Sequence, residues 1–383
     1  MTKELLIQLF LLINKFFFAL FSIFPTRKKM VFLCDFGDNA AYTIQALNEQ
    51  GYSDIIVLKT SRCNENFSKL NVKKIILFEM KDLRQYIGGL YHISTCKTLL
   101  IDNYVPLLHV LPKHIECIQL WHAAGAIKKF ALSDPSIAYR TPAAVRRFRK
   151  VYKRMDKVVV GSEQMAKIFR LAFHKESDAF LRTGIPRTDF YFDEKHIAEV
   201  RTRLFEKYPI LREKKVLLYA PTFRDLELTT QQIPIHFTKL MQDVGDEYVL
   251  IIKLHPAVQH TVENLMHPQI IVLDNQVPIH EVLTVTDCLI SDYSSIPFEY
   301  AFFNKPQIFY PYDLDQYRMS RGFWSDYPTM VPGPVVDNDE ELVHAILHLD
   351  FDVTVIQDYS SHWNTYSTGQ SSKNLAEYLL THL

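Results

Sequence analysis

The sequence has few cysteines and no paired cysteine motif. Its five cysteines are scattered along 383 residues, at positions 34, 63, 96, 117 and 288, and none forms a CxxC pair. An odd, dispersed set argues against a disulfide framework or a zinc site and favours a reducing compartment. We therefore expect these cysteines to be buried structural thiols.

A net charge is also absent. Lys and Arg together number 43, as do Asp and Glu, so the total charge indicates no class of partner. Hydrophobic residues make up 48% and charged residues 22%, which allows a large core and argues against disorder. A chain of this length is expected to form two domains.

Several signatures of common sites and signals are missing. No GxGxxG follows the first predicted strand, so a standard dinucleotide site is not expected. No group of carboxylates has an obvious metal-ligand spacing. No small-residue cleavage site follows the apolar N-terminal stretch, which Lys15 interrupts, so a cleaved signal peptide is not expected either.

That N-terminal stretch, residues 4–24, is strongly apolar and is followed by a basic run at residues 27–29. Its spacing places four polar residues on one helix face: Glu4, Gln8, Lys15 and Ser22. The pattern favours an amphipathic helix lying in the membrane interface with its phenylalanines buried. A spanning helix and a helix packed on the protein's own core are the alternatives. The basic run predicts that the chain beyond it stays in the cytoplasm.

Short apolar runs alternate with helical patterns through the first half of the chain. The predicted strands cover residues 30–35, 55–60, 73–80 and 98–104, and residues 115–125 repeat the pattern. Such alternation predicts a parallel, doubly wound sheet, in which ligands bind beyond the carboxyl ends of the strands. Three polar residues fall at such ends: Asp35, Asn103 and His122.

The segment WHAAG at residues 121–125 is the sharpest feature of this half, and Lys128 follows it. A histidine in a small-residue loop directly after a buried strand is placed to accept a proton in a cleft. A histidine that only caps a loop carbonyl is the alternative.

A basic segment runs from Arg140 to Lys157, with eight basic residues and a single acid, Asp156. It is either a solvated helix or a patch that faces anionic lipid or an acceptor's diphosphate. Nucleic acid is not expected, because no aromatic interleaving or binding motif accompanies the charge.

The second half repeats the alternation of strands and helices. Charged, helical residues 194–213 indicate a domain boundary, which divides the chain into a membrane-associating helix (1–26) and two domains (27–195 and 196–383). Arg187, just before the boundary, either contacts phosphate or braces the domains. The second domain carries five polar residues at its strand ends, where separate loops can form one pocket: Thr222, Arg224, Lys253, His255 and Asp292.

The stretch from Cys288 to Pro334 joins a short buried strand to a helix through Ser291-Asp292-Tyr293-Ser294-Ser295. Ser295 suits the N-cap, and the following proline suits the first helical turn. Hydroxyls and free backbone N–H groups at a helix N-terminus bind phosphate. The basic loop at Arg318 and Arg321 could close over an anionic ligand. A plain capped helix is the alternative.

Five motifs in this order resemble those of the CDP-glycerol glycerophosphotransferase family, the enzymes that build teichoic acid in Gram-positive bacteria. They are WHA with a following lysine, GIPRTD, YAPTFRD, KLHP, and DYSS with its Arg-Gly loop. With the strand pattern, the resemblance implies the GT-B architecture, two Rossmann-like domains facing a central cleft. It also implies transfer of glycerol phosphate from CDP-glycerol to an acceptor hydroxyl.

The motif has alanine directly after His122, and in this it resembles the primase branch of that family. That branch adds the first glycerol phosphate to an undecaprenyl-diphosphate-linked disaccharide (N-acetylmannosaminyl-N-acetylglucosaminyl diphospho-undecaprenol), with release of CMP. The apolar N-terminal helix and the basic run after it predict that the enzyme lies on the cytoplasmic face of the cell membrane, peripherally bound to its anionic surface. The resemblance implies no metal, and we expect no cofactor.

The resemblance implies His122 as the general base, and we predict His255 as the second catalytic residue. Fixed donors must stabilise the charge that grows on the leaving CMP and the transferred phosphoryl group. The predicted substrate-binding residues are Lys128, Arg187, Thr222, Arg224, Lys253, Asp292, Ser294, Ser295 and Arg321.

Two rival functions remain open at this point. One is another transferase of the same fold: a glycerol- or ribitol-phosphate polymerase, or a different GT-B transferase. The other is a non-enzymatic, membrane-bound polyanion-binding protein.

Overall fold

The computed structural model describes residues 3–222, 235–254, 265, 267–274 and 276–383. The chain forms two compact units. Unit 1 contains Met1–Ala124, Phe130–Asp189 and Asn364–Leu383, and unit 2 contains Gly125–Lys129 and Phe190–Trp363. Each unit has an α/β fold built on a parallel sheet, as the alternating pattern predicts.

The sheet of unit 1 has seven parallel strands in the order β3-β2-β1-β4-β5-β6-β7. The strand order changes direction between β1 and β4, so a crevice is expected beyond the carboxyl ends of these two strands. The strands are β1 (Arg27–Cys34), β2 (Ile55–Lys59), β3 (Lys74–Leu77), β4 (Cys96–Ile101), β5 (Glu116–Gln119), β6 (Lys157–Val159) and β7 (Phe180–Leu181).

Among the described residues of unit 1 there are six α-helices, and the last of them returns from the C-terminal end of the chain to pack on α2. The backbone N–H groups of Ser371 and Ser372 donate to the carboxylate of Asp189 at 2.9 and 2.8 Å, which fixes the start of this helix. The helices are α1 (Lys3–Phe21), α2 (Asp38–Glu49), α3 (Leu83–Ser94), α4 (Pro142–Lys153), α5 (Glu163–Phe173) and α14 (Ser371–Thr381).

Helix α1 packs on α3 through a narrow face and leaves a wide apolar face exposed. Leu11, Asn14 and Phe18 are buried, and the Tyr86 hydroxyl donates to Oδ1 of Asn14 at 2.8 Å. Glu4, predicted on a polar stripe, forms an ion pair with Arg147. By length and composition α1 could cross a membrane, since residues Glu4–Phe21 have a mean hydropathy of 1.8. Several large apolar side chains are exposed: Leu5, Leu6, Leu9, Leu12, Ile13, Phe16 and Leu20.

The sheet of unit 2, as far as the described residues show it, has five parallel strands in the order β10-β9-β8-β11-β12. Its order changes direction between β8 and β11, which again predicts a crevice at their carboxyl ends. The strands are β8 (Lys215–Tyr219), β9 (Tyr248–Ile252), β10 (Ile270–Val272), β11 (Cys288–Ser291) and β12 (Gln307–Phe309).

The helices of unit 2 vary in length from four to fourteen residues. They are α6 (Glu194–Lys207), α7 (Ile210–Glu213), α8 (Phe237–Val244), α9 (Ile279–Leu283), α10 (Ile296–Tyr300), α11 (Leu314–Ser320), α12 (Asp339–Leu347) and α13 (Val353–Asn364), whose final residue falls in unit 1. An apolar cluster that includes Leu217, Leu250 and Ile290 fills the space between one face of the sheet and helices α8 and α12. All five cysteines of the chain are buried and free.

Candidate functional site

His122 lies just beyond β5 in unit 1, and its imidazole is held by the strand-end loop after β4. Its Nδ1 lies 2.8 Å from the carbonyl oxygen of Asp102. A carbonyl only accepts hydrogen bonds, so Nδ1 carries the proton and Nε2 keeps a free lone pair. The residue before it, Trp121, has a φ of 63°, a strained value for a side chain of this size. The imidazole is therefore oriented as a proton acceptor.

A second contact fixes the plane of the imidazole. The Phe36 ring stacks on it with centroids 4.3 Å apart and an interplanar angle of 16°. The loop that carries Phe36 is held by the buried carboxylate of Asp102, which accepts hydrogen bonds from the backbone N–H groups of Asp35, Phe36 and Gly37 at 2.8 to 3.0 Å. Asp102 thus positions His122 twice, through its carbonyl oxygen and through this loop.

Burial sets the protonation of this pair of residues. Desolvation lowers the pKa of His122, although its bond to the Asp102 carbonyl acts in the opposite direction, and Arg187 lowers it further. Neutral imidazole is therefore the stable form at neutral pH. Burial also raises the pKa of Asp102 to about 6 in spite of its three backbone donors. Its carboxylate remains ionised at pH 7.

The predicted strand-end residues of unit 1 come together at the change in strand order. Asn103 donates from Nδ2 to Oδ2 of Asp35 at 2.8 Å, and the Thr60 hydroxyl donates to Oδ1 of the same carboxylate at 2.7 Å. With His122 anchored on Asp102, one polar rim joins the carboxyl ends of β1, β2, β4 and β5.

Arg187 braces the start of α2 in unit 1. Its guanidinium pairs with Asp38, and its backbone N–H donates to Oδ1 of Asn39 at 2.9 Å. Asn39 in turn donates from Nδ2 to the carbonyl oxygen of Trp121 at 3.0 Å. The guanidinium is mostly buried, with 18% of the side chain exposed. Arg187 therefore supports the segment that carries His122.

In unit 2, the predicted residues Thr222 and Asp292 meet where the strand order changes. The Thr222 backbone N–H donates to Oδ1 of Asp292 at 2.7 Å, and the Ser291 hydroxyl donates to the Ala220 carbonyl at 2.8 Å. Lys253 follows the neighbouring strand β9 and donates from Nζ to the Asp274 carbonyl at 2.8 Å. Burial lowers the pKa of Lys253. These contacts join the loops after β8 and β11 and tie the loop after β9 to the loop after β10.

The DYSS helix start differs in detail from the prediction. Ser295 occupies the N-cap of α10, but its side chain makes no capping hydrogen bond. The hydroxyl of Ser294 instead accepts from the backbone N–H of Ile296 at 3.2 Å. Helix α10 is only five residues long, so its dipole is short. Ser294 and Ser295 do follow Asp292 in the same strand-to-helix turn.

An aromatic cluster connects this helix start to the Arg-Gly loop. Tyr293 stacks on Tyr317 with centroids 4.0 Å apart, and its hydroxyl donates to Oδ1 of Asp313 at 3.0 Å. Lys128 forms a backbone bridge with Phe323, and its Nζ lies 5.9 Å from the centroid of the Tyr317 ring. Arg321 ends α11, where its N–H donates to the Tyr317 carbonyl. The structure therefore brings Lys128, the backbone of Arg321 and Tyr293 of the DYSS segment together around Tyr317.

Two predicted residues, Arg224 and His255, lie outside the described residues. Sequence reasoning also missed two features that the structure shows. Asp102 precedes Asn103 in LLIDNY, and a carboxylate at a strand end was its only signal. The cluster around Tyr293 was signalled only by the density of aromatic residues between 293 and 327.

A sequence model of the family described as CDP-Glycerol:Poly(glycerophosphate) glycerophosphotransferase matches residues 16–381. The chain is 36% identical to a teichoic acid glycerol-phosphate primase of Bacillus spizizenii, over 92% of each chain. It is 35% identical to the protein of the same name from Bacillus subtilis, also over 92% of each chain.

Among solved structures, the wall teichoic acid polymerase TagF is similar with a TM-score of 0.77 and 23% identity, covering 96% of this chain and 93% of that one. This likeness shows an α/β, GT-B-like fold with parallel sheets. The family match confirms the resemblance that the five motifs indicated. The chain belongs to the CDP-glycerol:poly(glycerophosphate) glycerophosphotransferase family, and it is an enzyme of that class.

Proposed function

We propose that this enzyme transfers one glycerol phosphate from CDP-glycerol to a lipid-linked disaccharide and so primes teichoic acid synthesis. The acceptor is the N-acetylmannosaminyl-N-acetylglucosaminyl diphospho-undecaprenol of the sequence prediction, and CMP is the second product. The observation that supports the chemistry is the orientation of His122, whose neutral imidazole presents Nε2 as a base. The similarity to two glycerol-phosphate primases over 92% of each chain supports priming.

In this mechanism the acceptor hydroxyl attacks the phosphorus that bears the glycerol. The hydroxyl proton moves to Nε2 of His122, a phosphodiester forms, and the bond to the bridging oxygen of CMP breaks. General base catalysis of this kind contributes about 10²–10⁴-fold. The Asp102 carbonyl stabilises the imidazolium, because it accepts the hydrogen bond that Nδ1–H donates throughout.

Unit 2 would hold the donor in this proposal, and unit 1 the acceptor. Negative charge grows on the phosphoryl oxygens and on CMP, so fixed donors that need no reorganisation lower the barrier. In the proposal, Lys253, Ser294 and Ser295 at the strand ends of unit 2 supply such donors, and Thr222, Asp292, Lys128 and Arg321 would line the same pocket. Arg224 and His255 stay predictions. The facing of two domains across a cleft, which the sequence implied, also stays a prediction.

Binding at the membrane is part of the proposal. The exposed apolar face of α1 would lie in the cytoplasmic leaflet and hold the enzyme as a peripheral protein near its lipid substrate. Of the two rival functions, the non-enzymatic polyanion-binding protein is wrong, because the chain belongs to a family of transferases. A glycerol- or ribitol-phosphate polymerase remains the alternative.

One assay tests the proposal. The purified protein is incubated with a soluble lipid-disaccharide analogue and either CDP-glycerol or CDP-ribitol, and products are sized by mass spectrometry. We expect a single glycerol phosphate added per acceptor, with stoichiometric CMP. Long products would identify a polymerase, and preference for CDP-ribitol would assign a different donor.

A further inference from the structure

A cavity of about 720 Å³ lies within unit 1, between the N-terminal helix and the basic helix α4. Its wall is mostly apolar, with Phe10 and Leu11 contributed by α1 and Phe148 and Val151 contributed by α4. The volume falls within the range of pockets that bind small molecules. The cavity is therefore large enough for a stretch of hydrocarbon chain.

Two arginines lie in the wall of this apolar cavity. Arg140 and Arg147 line the cavity, and Glu4 offsets part of the charge through its pair with Arg147. The Arg140 guanidinium lies 4.8 Å from the centroid of the Phe148 ring. Lys150 and Arg147 also add to the effect of burial in lowering the pKa of His109, another wall residue. An apolar interior with a cationic border suits an amphiphile with an anionic head group.

One wall of the cavity lies close to the loop that anchors the candidate base. Tyr104 lines the cavity and packs against Phe148 and Tyr152 with ring centroids 5.4 and 5.7 Å apart. It follows Asp102, which holds His122, by two residues, so their Cα atoms are at most about 7.6 Å apart. A ligand in the cavity would thus lie beside the strand-end loop of the acceptor unit.

The outer face of α1 links the cavity to a membrane. Leu6 lines the cavity and is also half exposed, and Leu5, Leu9 and Leu12 continue the apolar surface along the same helix. This apolar surface is the route by which a hydrocarbon chain would reach the cavity from a bilayer.

We propose that this cavity binds the head-proximal part of the acceptor's polyprenyl chain, with Arg140 and Arg147 at its diphosphate. The inference rests on the proposed function for the identity of the acceptor. It goes beyond docking on a bilayer, because it assigns a pocket that accepts one lipid chain. Bilayer phospholipid is the competing occupant, and the tests below separate the two.

Occlusion of the cavity gives the first test. Ala144 of α4 lines the cavity, whereas Ala143, one residue earlier on the same helix and also partly buried, does not. Binding of farnesyl diphosphate to the full-length protein is measured by calorimetry for Ala144→Trp and for the matched control Ala143→Trp. We expect Ala144→Trp to weaken binding about tenfold or more and Ala143→Trp to leave it near the wild-type value. Equal affinity in the two variants would overturn the proposal.

A charge test covers the case in which Ala144→Trp does not fold. Arg140→Gln removes a lining cation, and Arg149→Gln removes an exposed cation of α4 that does not line the cavity. Loss of a charged hydrogen bond should cost Arg140→Gln about tenfold in farnesyl diphosphate affinity, with little change in Arg149→Gln. Farnesol and inorganic diphosphate, each with one half of the probe, should bind the wild type more weakly than the intact probe. Equal losses in both variants would show a general electrostatic effect and overturn the assignment.

The occupant and the proposed function are tested separately. If phosphatidylglycerol vesicles, but not farnesyl diphosphate, lose affinity for Ala144→Trp, the cavity binds bilayer lipid and the proposal fails. The transfer assay compares kcat/KM for a polyprenyl-tailed and a tail-free acceptor, and the preference for the tailed one should fall in Ala144→Trp only. Absence of glycerol phosphate transfer in the wild type would refute the proposed function, whereas the calorimetric result on the cavity would stand.

Discussion

At the scale of single residues, the chemistry depends on one imidazole whose two nitrogens have different tasks. Nδ1 of His122 is committed to the Asp102 carbonyl, so Nε2 alone is available to the substrate. We expect His122→Ala to lose about 10²–10⁴-fold in turnover. The rate is measured with saturating CDP-glycerol, and thermal unfolding of the variant checks its fold. Wild-type turnover in a folded variant would exclude His122 as the base.

The acidic side of the pH profile reports the same residue. Because burial lowers the pKa of His122, the neutral base should persist below the ordinary imidazole pKa of about 6.5. Turnover should be constant near pH 7 and fall only on further acidification. Protonation of Asp102, whose pKa is raised to about 6, acts in the same direction because the neutral carboxyl holds its loop less well. A midpoint at or above pH 7 would contradict this assignment, provided that circular dichroism shows a folded protein throughout.

The residues at strand ends could be predicted from sequence because the carboxyl ends of parallel strands share one edge. Asp35, Asn103 and His122 were found on this basis, as were Thr222, Lys253 and Asp292. The hydrogen bonds among them could not be predicted, since they depend on loops after different strands. Two such contacts are the hydrogen bonds that Asp102 accepts from the loop after β1 and the one that Ser294, rather than Ser295, accepts at the start of α10.

At the scale of elements, the turn between β1 and α2 requires a glycine. Gly37 has a φ of 99°, and a Cβ there would lie 2.6 Å from Cβ of Glu65. Gly51 has a φ of 81°, but a Cβ there would meet no atom within 4 Å, so it is a matched control. Backbone strain costs about 1–3 kcal/mol at either site, and Gly37→Ala adds a steric clash.

Chemical denaturation should therefore show a larger loss in the free energy of unfolding for Gly37→Ala than for Gly51→Ala. Turnover should fall only in Gly37→Ala, because the Gly37 N–H helps to hold the Phe36 loop against His122. Equal losses of stability would show that the loop adapts to the added methyl group.

Helix α1 is predicted to bind the bilayer by its exposed face. Deletion of residues 1–26 is a blunt test, because it also removes the Asn14–Tyr86 hydrogen bond and uncovers α3. Phe16→Asp places a charge on the face, where 63% of the residue is exposed, and Leu171→Asp does so on α5, where 59% is exposed. Only Phe16→Asp should reduce sedimentation with anionic vesicles. Unchanged sedimentation would move the anchor to another surface, such as α4.

Hydrophobic periodicity predicted which segments form helices and strands, but it did not predict the residues at which these elements begin and end. The basic segment predicted from Arg140 to Lys157 contains a helix only over Pro142–Lys153, since Thr141 caps its start and β6 takes its last residue. Helix α10 is shorter than its pattern suggests, because the chain tightens into a 3₁₀ turn at Ala301. Such ends are decided by packing and capping rather than by composition.

At the scale of the whole molecule, substitutions in the two units should have different effects on donor binding. Arg224→Ala and Lys253→Ala should each weaken CDP-glycerol binding about tenfold, because each removes a cation from the proposed donor pocket. His122→Ala should leave donor affinity unchanged. Lys215→Ala is the control, since Lys215 lies at the amino end of β8, whereas the proposed donor pocket lies at the carboxyl ends of the strands. Calorimetry that finds equal donor affinity in all four variants would place the donor elsewhere.

The return of α14 to unit 1 has a consequence for how the protein is made. Unit 1 receives its last helix only after Phe190–Trp363 of unit 2 has been synthesised. At the usual rates of translation, that interval is on the order of ten seconds or longer. Until then Asp189 lacks the N–H groups of Ser371 and Ser372, and the face of α2 that receives α14 stays uncovered. We therefore expect the nascent first unit to need chaperones during that interval, whereas most of unit 2 can fold as a continuous segment ahead of it.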